Sequence, residues 1–554
     1  MQFLNKNFFL SWKSHSFLFI GLTSSLLAWT SAVQVSEEAS STNPTPSYLT
    51  IDENSNAFLG WLHGEIGTGT DLISAALPAG APNWNSPFLL YSGTSPEFPS
   101  FPILFALNSG KVHALWSNFH LEEEAADATT VAIATLDSLN GDWSSPILSS
   151  TLSGFPNNGA IGADKLGNQL GVLALGADSN TYTPPYSINL VAYANDSPGW
   201  TTPVNLGTDN SATSAAIFAA AAEGEAVIGW RIGPAPSLSL HTARYTFSTE
   251  ELIPINDIPL PSGTIDVGFA KAVLAENGNA IALFGVQFEE GTNYVIYSSF
   301  LPAGSDTWTF PEIVSNPDNN TTGIYLDIKV DPLSNATLLW GELKPSNNCF
   351  VRTAFLAFGG NLTNIVNLTD PDSITATPSS DPSGLLLSED NFGNNVAIWN
   401  FNISDAPSVQ VASKPFGGVW TSAQTLSSSG FLPRVALSNQ GTAIAAWLDS
   451  SNHFVYSSRS DQLFPLASPS AFGGYVTEEG ADQILNFHWS ASLAPNIISY
   501  EIYKDNVLIA NISAEGPFTF QYLLECGALE SDYTLVAVAS NGNKSTPLAL
   551  TLVD

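Results

Sequence analysis

The residues of this chain best suited to chemistry are carboxylates interleaved with aromatic side chains in short polar segments. Four such segments are SNFHLEEEAADATT (117–130), ALGADSNTYTPPYS (174–187), GVQFEEGTN (285–293) and NFNISDAPS (400–408). From these and the equivalent stretches, the candidate ligand contacts are Phe119, Glu122, Glu123, Glu124, Tyr186, Arg231, Phe288, Glu342, Phe401 and Asp449. Carboxylates beside aromatics, on variable loops of a rigid scaffold, suit a glycan, a bound cation such as calcium, or a basic protein. The alternative is a solvated acidic surface. No other cofactor is expected.

Catalytic constellations are missing. The seven His are scattered with no metal-ligand spacing, and there is no G-x-S-x-G elbow. Gly67-Thr-Gly69 is a lone pair of glycines. Asp318-Asn-Asn320 lacks the remaining acidic positions of a calcium loop and reads as a turn. Arginine occurs only at 231, 244, 352, 434 and 459. Cys349 and Cys526 fall in different parts of the chain, so two unpaired thiols are expected and no disulfide framework.

The elements that carry these residues form a repeat. A small residue is followed six positions later by a large apolar one: Ser55/Trp61, Gly110/Trp116, Gly167/Leu173, Gly224/Trp230, Gly278/Phe284, Ser334/Trp340, Gly393/Trp399 and Gly441/Trp447. Successive units are 48 to 59 residues apart. A second series, W-x-x-P, runs in phase at Trp84, Trp143, Trp200 and Trp308, and Trp420 keeps the position without the proline. Each unit reads as four strands: a short apolar run, a tight turn, a strand ending at the first Trp, a third strand, a glycine turn and a strand carrying the second Trp. Strands apolar on both faces must be covered on both sides.

Four strands per period of this length predict an all-β fold, a β-propeller of about eight blades over residues 47–468. Seven blades with a strand-donating terminal unit, and a sandwich tandem or solenoid, are the alternatives. From residue 473 the pattern changes. Leu485–Trp489, Ile498–Tyr503, Tyr533–Ala539 and Leu548–Val553 read as strands of a separate module of about 80 residues.

The repeats resemble the sialidase-like and lectin-like propellers of exported bacterial proteins. Residues 473–554 resemble a fibronectin type III domain, with Trp489 as its strand-B tryptophan and Tyr533 at its tyrosine corner. A sialidase would imply an arginine triad, a tyrosine nucleophile and S-x-D-x-G-x-T-W boxes. The boxes are absent here and Arg434 alone falls on an inner strand.

Lys6 and Lys13, the apolar run Phe17–Trp29 and the small residues Thr30-Ser31-Ala32 read as a signal peptide over 1–32, with 33–46 a flexible linker. Two of the 15 Lys and Arg lie in that leader and all 50 Asp and Glu beyond it, so the processed chain carries about −37. Such a field argues against nucleic acid and anionic lipid surfaces. The expectation is a secreted, cell-surface or periplasmic monomer with no membrane insertion after cleavage. It would be a non-catalytic recognition or adhesion protein binding a glycan or protein ligand, the alternative being an extracellular glycosidase.

Overall fold

The computed structural model describes residues 29–36 and 46–552 apart from short segments, the longest of them 121–127, 177–183, 211–215, 317–325, 344–348, 370–383 and 525–530. The signal-peptide segment before Trp29, the Asp318 turn and Cys526 lie outside the described residues. The described chain is all-β, and no helix in it is long and apolar enough to cross a membrane.

Eight antiparallel sheets follow one another in a propeller-like arrangement. Sheet 3 is typical: Phe155–Ala163, Gln169–Gly176, Tyr186–Tyr193 and Val204–Asp209, paired in chain order. Sheets 4 to 7 repeat it, with first strands Ile217–Ala222, Asp266–Leu274, Leu326–Val330 and Leu385–Glu389. Sheet 1 starts at Pro46–Ile51, and in sheet 2 Glu97–Pro99 and Ile103–Ala106 both pair the strand Val112–His120. Sheet 8 takes Gly430–Leu437, Ala443–Asp449 and Val455–Ser460 from the end of the repeat, and its outer strand, Val33–Gln34, from the other end of the chain. Val33 pairs with Ser457, and the Val35 N–H donates to the Val455 carbonyl at 2.8 Å.

That strand corrects the linker expected over 33–46. Val35 and Ser36 are 5% and 6% exposed, because closing sheet 8 buries an apolar side chain that nothing in the local pattern marks. Val35→Ala should therefore cost about 1–2 kcal/mol, read as a lower denaturation midpoint of the full chain. An unchanged midpoint would mean that this strand does not hold the ring.

The turn chemistry explains why small residues recur. In all eight units the residue six before the Trp position has a positive φ, from 67° at Ser55 to 99° at Gly167. That left-handed geometry favours glycine. In four units an Asp organises the same turn. Asp52 Oδ1 accepts the Asn54 and Asn56 N–H groups at 2.9 and 2.7 Å, and Oδ2 accepts the Asn56 amide at 2.8 Å. Asp164/Asn168, Asp331/Asn335 and Asp390/Asn394 repeat the arrangement. Each of these Asn side chains then accepts an N–H from the turn between the third and fourth strands of its sheet. Two turns at one end of each such sheet are thereby locked together.

An even offset from the turn puts the large residue on the same face in every unit. Eight apolar cores fill the spaces between consecutive sheets, the eighth sheet packing back on the first, and each core holds one residue of the first series. The second series staples the same seams. Trp84 donates its Nε1–H to Ser457 of sheet 8 at 2.7 Å, Trp143 to Ser74 of sheet 1 at 2.8 Å, and Trp308 to Thr242 of sheet 4 at 3.0 Å.

Residues from Ser470 onward form two four-stranded sheets around Phe472, Leu485, Phe487, Trp489, Tyr500, Tyr533 and Leu535. One sheet holds Ser470–Glu479, Asp482–Ser490 and Thr519–Leu523, closed by the parallel Thr551–Leu552. The other holds Ile497–Lys504, Val507–Ser513, Tyr533–Ala539 and Leu548–Ala549. The first strand begins ahead of the expected residue 473, and Thr519–Leu523, too short and half-exposed to stand out in the sequence, completes the first sheet.

Candidate functional site

The ten residues singled out from the sequence do not form one site. Glu122, Glu123 and Glu124 lie outside the described residues. Phe401 is on the second strand of sheet 7, in register with Ser408. Phe288 is half-buried beside Tyr297, ring centroids 6.3 Å apart. The other five are interior residues and not loop contacts. The second strands run past the Trp position, so Phe119, Arg231, Glu342 and Asp449 continue them, and Tyr186 opens a third strand.

Phe119 packs edge-on to Phe155 at 5.1 Å, and Tyr186 is 1% exposed in the core between sheets 3 and 4. Glu342 accepts the Trp340 Nε1–H at 2.7 Å and Arg352 Nη1 at 3.1 Å. Asp449 accepts the Ser429 and Ser451 hydroxyls; burial opposes its charge, but these bonds hold its carboxyl below the usual range. Arg231 is fully buried. Its Nη2 donates to Asp209 Oδ2 at 2.9 Å and its Nη1 to Asp266 Oδ1 at 2.7 Å and the Val267 carbonyl at 2.9 Å. Tyr294 donates to the other Asp266 oxygen at 2.7 Å. Burial and that carboxylate push the Tyr294 phenol well above its ordinary range, so it remains a donor. This network joins sheets 3, 4 and 5 and leaves Arg231 no reach to a ligand.

A different set of residues converges at the centre of the ring. The first strands and their turns, from every sheet except the fourth, line a cavity of about 890 Å³. Tyr48 and Phe105 stand on its wall with ring centroids 5.9 Å apart, and Tyr48 is 37% exposed. Thr50 and Ser388 add hydroxyls. Charged side chains come from sheets 5 to 8, as Lys271, Asp327, Lys329, Glu389 and Arg434, and from the turns of sheets 1 and 3, as Asp52, Glu53, Asp164 and Lys165. At the turn end, Lys165 of sheet 3 reaches Asn391 of sheet 7 at 2.6 Å and Glu276 of sheet 5 at 3.7 Å, bridging that mouth.

The electrostatics are uneven. Asp327 Oδ1 takes Lys271 Nζ at 3.2 Å and its Oδ2 takes the Leu387 N–H at 2.8 Å. Burial works against its charge, yet Lys271, Lys329 and that N–H hold the carboxyl below the usual range. Asp327 in turn raises Lys329, against the effect of burial. Glu389 is the opposite case. Burial and the nearby Asp331 push it up to about 8, with the Asn395 amide and Lys329 only partly offsetting them. Its Oε2 is buried without a hydrogen-bond partner, consistent with a carboxyl that is protonated at neutral pH.

Sequence reading passed over Asp327, Lys329, Lys271 and Glu389. The signal that could have found them is charge inside strands that are otherwise apolar, as in Leu326-Asp-Ile-Lys-Val330.

No family model matches the chain. No curated protein matches its sequence. Among solved structures, a protein of unknown function from Dyadobacter fermentans is 10% identical with a TM-score of 0.38, covering 78% of this chain and 99% of that one. An ulvan lyase of polysaccharide lyase family PL25 is 12% identical with a TM-score of 0.42, over 69% and 93%. The NanB sialidase of Streptococcus pneumoniae is 10% identical with a TM-score of 0.34, over 78% and 94%. Likeness of this degree says nothing of activity.

Proposed function

We propose that the chain is an exported, monomeric recognition protein: an eight-bladed propeller clasped by Val33–Gln34, followed by a fibronectin type III-like domain, with a saccharide ligand held in the cavity at the propeller axis. The observation that carries the reading is the make-up of that cavity. An aromatic pair, Tyr48 and Phe105, shares about 890 Å³ with hydroxyls and charged groups from facing strands. A few placed polar groups beside aromatic faces suit a ligand that is polyhydroxylated at its edges and apolar on its ring faces. Among the described residues no group of three or more acidic, His or Cys side chains could hold a metal ion.

The test is a glycan array probed with the secreted full chain, followed by Tyr48→Ala. Because Tyr48 is partly exposed, the variant should keep its melting temperature while binding falls about tenfold or more. Full binding by a folded Tyr48→Ala protein would remove the cavity from consideration.

One observation favours a hydrolytic reading of the same cavity. Asp327 is held ionised and Glu389 protonated, and carboxyl groups driven apart in this way serve as base and acid in glycosidases. Against a sialidase-like site stands Arg231, locked between Asp209 and Asp266. Turnover of chromogenic glycosides that is lost in Asp327→Asn would establish the hydrolytic reading over the binding one.

A further inference from the structure

We infer that export processing spares residues 29–36: Thr30-Ser31-Ala32, which has the composition of a leader cleavage site, belongs to the outer strand of the propeller's last sheet. Any cut that removes the leader then falls on the N-terminal side of Trp29.

The ground is a match between the start of the described chain and its repeats. WTSAVQVS (29–36) is identical at five of eight positions to WTSAQTLS (420–427), which carries the outer strand of sheet 7. The hydrogen bonds match as well. In sheets 2, 3, 5 and 7 the second-series Trp is followed by Ser or Thr, whose N–H donates to a third-strand carbonyl and whose hydroxyl accepts the N–H of that same residue. In sheet 5 these partners are Thr309 and Phe300, at 2.8 and 3.0 Å. Thr30 makes the same pair of bonds to Arg459 of sheet 8, at 2.7 and 3.0 Å. Five residues further on, the Val314 N–H and the Ser315 hydroxyl bracket Ile296, and the Val35 N–H and the Ser36 hydroxyl bracket Val455 in the same way.

The tryptophan completes the equivalence. Trp84, Trp143, Trp200, Trp308 and Trp420 each pack in the core between their own sheet and the preceding one. Trp29 packs on the core between sheets 7 and 8, the position this rule assigns to the outer strand of sheet 8. It is the second-series Trp of that sheet.

A cut after Ala32 would take Trp29 out of that seam and Thr30 off the sheet. The Arg459 N–H and carbonyl would lose these partners, and so would the Ser458 hydroxyl, which donates to the Thr30 carbonyl at 2.6 Å. It would also put a charged amino terminus on Val33, inside the pairing with Ser457. Sheet 8 would be left with part of an unpaired edge, a template for stray strands. Small residues at 30–32 therefore answer to the repeat. Thr23, Ser24 and Ser25, behind the apolar run Phe17–Leu22, offer a cut that leaves the strand whole.

The test has two arms. In the first, the full chain with its leader is produced in a bacterial host, and the first residue of the exported protein is read by intact mass and N-terminal sequencing. It should lie at or before Trp29, an uncut chain included. Ala32→Gln puts a long side chain where a cut after Ala32 needs a small one, at a position the fold leaves exposed, and processing should be unchanged. An exported, folded chain that begins at Val33, or a leader retained only in Ala32→Gln, overturns the inference. The second arm needs no export, so its outcome is separate from that of the exported reading. Chains begun at Trp29 and at Val33, made without a leader, are melted side by side. The shorter should melt several degrees lower or fail to fold, and Trp29→Ala in the longer should reproduce part of the loss. Equal melting temperatures for the two chains would overturn the inference whatever the first arm gives.

Discussion

Arg231→Leu is expected to cost about 3–5 kcal/mol of stability, because it removes the positive charge that two buried carboxylates share. Asp209 is fully buried and the Asp266 side chain 13% exposed, so neither can recover water. Arg231 also supplies the donor that holds the Val267 carbonyl of the next sheet. Chemical denaturation of the full chain, with the midpoint and slope compared between variants, reads the loss. The double variant Arg231→Leu/Asp209→Leu should recover part of it, since an apolar pair of similar volume is far less harmful than a buried carboxylate without its countercharge. If Arg231→Leu instead stayed as stable as the natural chain and lost ligand binding, Arg231 would return to the contacts proposed from the sequence.

Trp340→Ala should cost a similar amount, about 3–5 kcal/mol, as large core truncations do. The side chain is completely buried in the core between sheets 5 and 6, packed with Leu326, Ile328 and Leu338. Its loss would open a void in a seam of the ring and remove the Nε1–H that Glu342 accepts, leaving that buried carboxylate with Arg352 and the Asn316 N–H. Ring closure makes the damage global, since a loosened seam frees two neighbouring sheets. Thermal denaturation checks it. A melting temperature within experimental error of the natural chain would contradict the equivalence of the first-series residues.

What can be read from the sequence is whatever a few neighbouring residues decide. A glycine or serine at positive φ, followed at an even spacing by Trp, sets a turn and the face that the Trp presents; Ser334 and Trp340 need nothing beyond the five residues between them. Alternation does the same for Ile497–Lys504 and Tyr533–Ala539, and Asp505 and Asn506, at φ of 49° and 64°, mark the turn after the first of these. The repeat could be counted, and its all-β character inferred, because each unit solves the same local problem.

Only the tertiary structure decided which units meet and where their strands stop. Val33 finds Ser457 across almost the whole propeller, and no local periodicity encodes that pairing. The second strands continue past the Trp, turning Arg231 and Glu342 from apparent loop residues into interior ones, because burial between sheets outweighs their polarity once ionic partners are supplied from elsewhere in the chain. Lys271 and Asp327 lie 56 positions apart, on first strands of adjacent sheets. They become a charged wall of one cavity because a ring brings first strands together at its axis, a geometric consequence of closure that no single strand carries in its residues.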